Sequence, residues 1–92
     1  MGKGEKSFGE FFKACRLKAG KGLRQFCVDN GFDPGNICRM EKGLLPPPQA
    51  HEKLVAYAAA LGLKEGSDDW YDLFDKAAEA KGMMPTYLLT DE

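Results

Sequence analysis

At 92 residues the chain accommodates one domain with a modest hydrophobic core, and it is too short for two such cores. Its 43% hydrophobic and 29% charged residues are typical of an ordinary soluble globular protein. The longest run without a charge or a proline, Leu54–Leu63, is much shorter than the roughly 20 residues that span a membrane. We therefore expect a soluble cytoplasmic protein without a membrane partner.

The net charge of −1 conceals an uneven distribution of charge along the chain. Residues 1–43 contain nine Lys and Arg against five Asp and Glu, a net charge of +4, whereas residues 44–92 have a net charge of −5. A basic half joined to an acidic half is expected when only one face of a protein meets phosphate groups. A charged stretch is also often only a solvated face, so this pattern favours nucleic-acid binding without establishing it.

Start and stop signals predict three helices in the first half of the chain. Helix one begins at a capping box, in which the side chains of Ser7 and Glu10 each accept from the other residue's backbone N–H. It ends at Gly20, a residue that readily adopts a left-handed cap. Helix two is short, about Leu23–Asn30, and helix three covers residues 33–42.

Two further helices are predicted in the second half, and the chain has almost no strand signal. The stiff tract Leu44–Pro48 leads into helix four near Gln49. Helix five starts at a Ser67 cap, stops at Gly82 and is followed by an apolar tail, Met83–Leu89. Its spacing predicts a buried stripe of five residues: Trp70, Leu73, Phe74, Ala77 and Ala78. The predicted fold class is therefore all-α.

The connection between helices two and three is the most informative feature of the sequence. Gly31 suits a tight turn, Phe32 is placed to fill the core, and Asp33 is a helix cap. Ile37 and Met40 are expected to anchor helix three from beneath, which leaves a polar outer face. That outer face presents Gly35, Asn36, Arg39 and Lys42.

Residues 11–48 resemble the Xre or Cro-like family of lambda-repressor-like DNA-binding domains. The resemblance is carried by Gly22–Cys27, by Asp33–Gly43 and by the proline-rich exit that follows. Helix three of that family ends in an Ile-x-x-hydrophobic-Glu-x-Gly run, which is matched here by Ile37, Met40, Glu41 and Gly43. The resemblance implies a five-helix domain with a helix-turn-helix at helices two and three, and an architectural ion pair between Arg16 and Glu41.

The resemblance also implies that helix three enters the major groove of double-stranded DNA. Asn36 and Arg39 are then the expected base readers, because arginine suits guanine and asparagine suits adenine. Phosphate contacts are expected from three basic residues: Lys21, Arg24 and Lys42.

Two positions depart from the family pattern. Gly22-Leu23 stands where many relatives have a phosphate-binding glutamine, which leaves the backbone N–H groups of helix two for that contact. Pro34 and Gly35 stand where many relatives have base-reading side chains. Glycine inside a helix is about 1 kcal/mol less favourable than alanine. Gly35 therefore indicates either a close approach of the backbone to DNA or a poor helix former that is merely tolerated.

These features predict a sequence-specific transcriptional regulator, a repressor, formed by one domain over residues 1–92. Residues 7–63 are the expected four-helix DNA-binding core, and residues 64–92 add helix five and the tail, through which a homodimer is expected to form. The alternative is an antitoxin-like helix-turn-helix module whose main partner is another polypeptide. The acidic second half and the bare Pro34-Gly35 start favour that alternative.

An enzyme is the least favoured reading. The three cysteines, Cys15, Cys27 and Cys38, are widely spaced and odd in number, and with the single His51 they make no convincing zinc site. We expect reduced, mostly buried thiols, no metal and no cofactor. No Ser/His/Asp set is recognisable. No phosphate-binding glycine loop is recognisable either, because the glycines fall at helix ends.

Overall fold

The computed structural model describes residues 7–83 and folds them into five α-helices, with no strand among these residues. This confirms the predicted all-α class. The helices are α1 (Phe8–Lys18), α2 (Leu23–Asn30), α3 (Pro34–Glu41), α4 (His51–Leu61) and α5 (Asp68–Met83). The predicted apolar tail lies outside the described residues, apart from Met83 at the end of α5.

Local signals in the sequence explain most of the helix ends. The capping box of α1 is formed, with Ser7 N donating to Glu10 Oε1 at 3.1 Å and Glu10 N donating to Ser7 Oγ at 3.2 Å. The N-terminal cap of α4 is Ala50, so the extended backbone of the proline tract continues slightly further than predicted. The predicted stop at Gly82 is wrong, because α5 includes this glycine and continues to Met83. A single glycine inside a helix is only about 1 kcal/mol less favourable than alanine, so it need not end the helix.

Four aromatic rings form the centre of the core and join α1, α2, the α2–α3 turn and α4. The ring centroids of Phe12 lie 5.7 Å from Phe26 and 5.2 Å from Tyr57, both in edge-to-face geometry. Phe32 closes the set, at 5.8 Å from Phe26 and 5.1 Å from Tyr57. Such pairs contribute about 0.5–1.5 kcal/mol each beyond the area they bury. The turn residue Phe32 is therefore held by the same cluster that holds the helices.

The fifth helix packs on α1 and α4 and contributes to the same core. Leu73 and Ala77 are fully buried, as predicted, whereas the predicted stripe residue Ala78 is exposed. Lys76 on the same helix is buried instead, and the Lys76 Nζ lies 5.6 Å from the centroid of the Phe11 ring. A cation over an aromatic face compensates in part for the burial of the charge. Lysine is not counted among the apolar residues, although its long aliphatic stem can be buried, so the apolar periodicity missed this position.

A glycine in the first turn of α1 sets the distance between α1 and α3. A Cβ atom at Gly9 would lie 2.5 Å from the carbonyl oxygen of Glu41 and would also collide with the carbonyl oxygen of Met40. The two backbones therefore approach more closely than any side chain allows. The sequence around Gly9 does not indicate this role, because a glycine inside a helix carries no local sign of what it packs against.

Candidate nucleic-acid interface

The turn between α2 and α3 is short and is held by local hydrogen bonds. Gly31 adopts a left-handed conformation (φ 72°) that only glycine accepts without strain. The backbone N–H of Phe32 donates to the carbonyl of Cys27 at 2.9 Å, which closes the end of α2. The Asp33 side chain then accepts from Asn36 N at 3.1 Å and starts α3. The start of α3 is therefore fixed by the Asp33 cap.

One face of α3 is anchored in the core and the other is exposed. Ile37 and Met40 are 2% and 4% exposed, and Glu41 is also buried. Asn36 and Arg39 lie on the opposite, exposed side. An eight-residue helix held along one side in this way presents its outer residues on a rigid support.

The two expected base readers contact each other. Arg39 Nη1 donates to Asn36 Oδ1 at 3.0 Å, across one turn of the helix. The backbone N–H of Asn36 is meanwhile bound to the Asp33 carboxylate. Asn36 is therefore placed by the helix cap and in turn orients Arg39.

Gly35 lies beside this pair, and nothing among residues 7–83 requires a glycine there. A Cβ atom at Gly35 would lie 3.5 Å from Asp33 Oδ2 and 3.7 Å from Arg39 Nη1, both ordinary van der Waals distances. The residue is exposed. Alanine would therefore fit, in contrast to Gly9.

Arg16 connects three parts of the chain behind the exposed face of α3. Its Nε and Nη2 donate to the two carboxylate oxygens of Glu41 at 2.8 and 2.9 Å, and its Nη1 donates to the carbonyl of Lys21 at 3.0 Å. The side chains of Arg16 and Glu41 are 5% and 6% exposed. The hydrogen bonds with Glu41 raise the pKa of Arg16, against the opposing effect of burial, so this arginine stays charged. The structure thus brings Arg16 and Glu41 together and adds a contact to the α1–α2 connection.

The remaining basic candidates are exposed residues that lie next to α2 and α3 in the chain. Lys42 is the C-terminal cap residue of α3, and Arg24 lies in the first turn of α2. The side chains of Lys21, Arg24 and Lys42 are exposed and make no ion pair or hydrogen bond within residues 7–83. Gly22 caps α2 without a side-chain hydrogen bond, so no side chain covers the N–H groups of that helix start. These groups are available to phosphate oxygens.

The thiols show no sign of activation. Cys15 and Cys27 are buried, Cys38 is partly buried, and none of the three is in a disulfide. Burial raises the pKa of the Cys15 and Cys27 thiols, so both stay protonated at neutral pH. Cys15 borders a cleft of about 260 Å³, which is also lined by Lys18 and Asp69. A protonated thiol in this cleft is a poor nucleophile.

The described part of the chain contains no group of three or more residues that could hold a metal ion. His51 lies at the start of α4, with its ring centroid 5.3 Å from that of Phe74. None of the helices in residues 7–83 combines the length and apolar composition that crossing a membrane requires.

The chain matches no family model, no curated protein and no solved structure.

Proposed function

We propose that the chain is a helix-turn-helix DNA-binding domain of the lambda-repressor-like kind, acting as a transcriptional repressor. In this proposal α2 and α3 form the helix-turn-helix, and α3 enters the major groove. The observation that carries the proposal is the division of α3 into an anchored inner face and an outer face with Asn36 and Arg39 side by side. A rigid helix with polar outer residues is what reading base edges requires.

The exposed basic residues next to α2 and α3 in the chain support the same proposal. Lys21, Arg24 and Lys42 have no acidic partner within the described residues, so their charges are available to phosphate. Arg16 holds the Lys21 carbonyl and the Glu41 carboxylate in one place, which fixes the α1–α2 connection relative to the end of α3. Phosphate contacts from such flanking residues position a reading helix without carrying sequence information themselves.

Salt dependence tests this proposal directly. Neutralising phosphates releases counterions, so log affinity falls linearly with log salt, with a slope of about −0.9 per phosphate. For a dimer we expect a slope of about −3 to −6, and a shallower slope for Lys21→Ala and for Lys42→Ala. Lys64→Ala is the matched control, because Lys64 is an exposed lysine between α4 and α5. A complex insensitive to salt, or no complex at low salt, would contradict DNA binding.

Exposed apolar side chains support a second candidate, an antitoxin-like module that binds another polypeptide. Val28 on α2 and Leu44 after α3 are 66% and 65% exposed. Contiguous patches of large apolar side chains are a feature of protein-binding faces, so Val28 and Leu44 are the residues to test for one. Val28→Ser separates the two functions. It should leave the affinity for DNA unchanged and weaken the binding of a polypeptide partner. Loss of DNA binding in this variant would instead place Val28 in the DNA interface.

A further inference from the structure

The carboxylate of Asp33 uses one oxygen for the helix cap and leaves the other free. Oδ2 accepts from the backbone N–H of Asn36 at 3.1 Å. Oδ1 has no hydrogen-bond partner among residues 7–83, and the residue is exposed. Serine and threonine cap helices through a single oxygen, so capping alone does not require a carboxylate. The outer face of α3 therefore carries an acceptor that the fold does not use.

Gly35 leaves a gap between this carboxylate and the guanidinium of Arg39. A Cβ atom at Gly35 would lie 3.5 Å from Asp33 Oδ2, and 3.7 and 3.8 Å from Arg39 Nη1 and Nη2. The two side chains thus reach the same point above the bare backbone of Gly35, yet within the described part of the chain they form no ion pair with each other. The gap has acceptors on one side and donors on the other.

The edge of a base that enters this gap meets the acceptor as well as the donors. In the major groove guanine and thymine present acceptors, adenine presents an amino group beside the acceptor N7, and cytosine presents only its N4 amino group. A carboxylate only accepts, so guanine and thymine offer it no hydrogen bond. Of the two amino groups, that of cytosine has no neighbouring acceptor to repel the carboxylate, which makes cytosine the best match.

We propose that Asp33 is a specificity-determining residue, whose Oδ1 accepts a hydrogen bond from the N4 amino group of a cytosine. This inference rests on the proposed DNA-binding function and deepens it. The same carboxylate repels phosphate groups and base edges that present only acceptors, so it also weakens binding to wrong sequences. Successive base pairs are about 3.4 Å apart, so the contacts of Asp33 and Arg39 should fall on the same base pair or on neighbouring ones.

Selection of bound duplexes from a random pool by the full chain tests this assignment. The selected site should contain a cytosine. Replacing it by N4-methylcytosine keeps base pairing but puts a methyl group where the N–H faces the major groove. We expect binding to weaken about fivefold or more, as for one wrong base pair. The same replacement outside the selected site should change the affinity less than about twofold.

Asp33→Ser separates base reading from capping, because serine caps a helix as well as aspartate but has neither the charge nor the second oxygen. The urea midpoint should change little, and the preference for cytosine should be lost. At low salt this variant should bind random duplexes about two- to fivefold more tightly, since a charge that opposes phosphate is removed. Asp75→Ser is the matched control, because Asp75 is an exposed aspartate on α5, which packs on α1 and α4. It should leave the preference unchanged.

Asp33→Asn provides a second variant that keeps the cap. Its amide oxygen takes the Asn36 N–H, so the outward atom becomes an NH₂ donor, and the preference for cytosine should again be lost.

The outcomes separate this inference from the function on which it rests. Absence of any salt-sensitive binding to DNA would overturn both. A cytosine preference that persists in Asp33→Ser and Asp33→Asn would overturn only the role of Asp33. Selected sites without a cytosine, or full tolerance of N4-methylcytosine, would have the same consequence.

Discussion

Arg16 and Glu41 form a buried two-bond ion pair between α1 and the end of α3, although 25 positions separate them in the sequence. The same arginine also binds the Lys21 carbonyl. Its planar group serves all three acceptors at once, which the single ammonium of a lysine does not. This pair therefore stabilises the fold and supports the outer face of α3 from behind.

Removal of Arg16 should strongly reduce the free energy of unfolding. Arg16→Ala leaves the Glu41 carboxylate buried without its partner, so we expect a loss of about 3–5 kcal/mol in urea denaturation. Arg16→Lys should also destabilise the protein, since it loses the two-bond geometry. The control is the double variant Arg16→Met/Glu41→Met, which removes both charges and should recover much of the lost stability. An Arg16→Ala variant as stable as the unmodified protein would show that the pair contributes little.

Two glycine-to-alanine changes should have opposite effects on stability. Gly9→Ala forces a Cβ atom against the backbone carbonyls of Met40 and Glu41, so we expect a loss of about 1–3 kcal/mol or more. Gly35→Ala meets only ordinary contacts and should stabilise the protein by up to about 1 kcal/mol. Urea midpoints measure both. A Gly35→Ala variant that is more stable yet binds DNA more weakly would indicate that the α3 backbone approaches the DNA closely at this glycine.

Alkaline pH should destabilise the protein through its buried thiols. Burial raises the pKa of the Cys15 and Cys27 thiols, so the folded state keeps their protons at a pH where the unfolded chain has released them. Their contribution is complete below about pH 8.5, the ordinary thiol value, and it is lost as the pH rises through the folded-state pKa. Burial acts on Tyr57 in the same direction.

Urea midpoints measured between pH 7 and pH 10 should therefore fall, and the fall should be smaller in Cys15→Ala/Cys27→Ala. Replacing all three cysteines by alanine or valine should leave DNA binding largely intact, because none of them lies on the exposed face of α3 that is proposed to read DNA. A midpoint that stays constant to pH 10, or strong zinc binding by the unmodified chain, would contradict this interpretation of the thiols.

Pairing of two copies should depend on the exposed face of α5. One helix-turn-helix with two readers covers few base pairs, so a two-fold dimer on an inverted repeat is expected, with its reading helices about 34 Å apart. Tyr71 is 56% exposed on α5. Tyr71→Glu should shift sedimentation towards the monomer and weaken binding to the repeat, whereas Val55→Glu, on the exposed side of α4, should do neither. If the unmodified protein and both variants all sediment as monomers with DNA present, the expected two-fold dimer is contradicted.

The amino-acid sequence by itself determined the number of helices and most of their ends, because those ends depend on local chemistry. The Ser7–Glu10 capping box, the left-handed Gly31 and the Asp33 cap each act within a few residues of the chain. The inward face of α3 was equally predictable, since Ile37 and Met40 follow helical periodicity. Which residues of α3 face outward followed from the same periodicity.

Only the tertiary structure decided how these helices meet. The approach of Gly9 to Glu41 and the burial of Lys76 beside Phe11 depend on which surface lies opposite each residue, and no local pattern records that. The hydrogen bond between Asn36 and Arg39 joins neighbours on one helix, yet it depends on side-chain rotamers, which the spacing of residues leaves open. Helix formation is governed by near neighbours, whereas packing and donor orientation are governed by residues that the fold brings together.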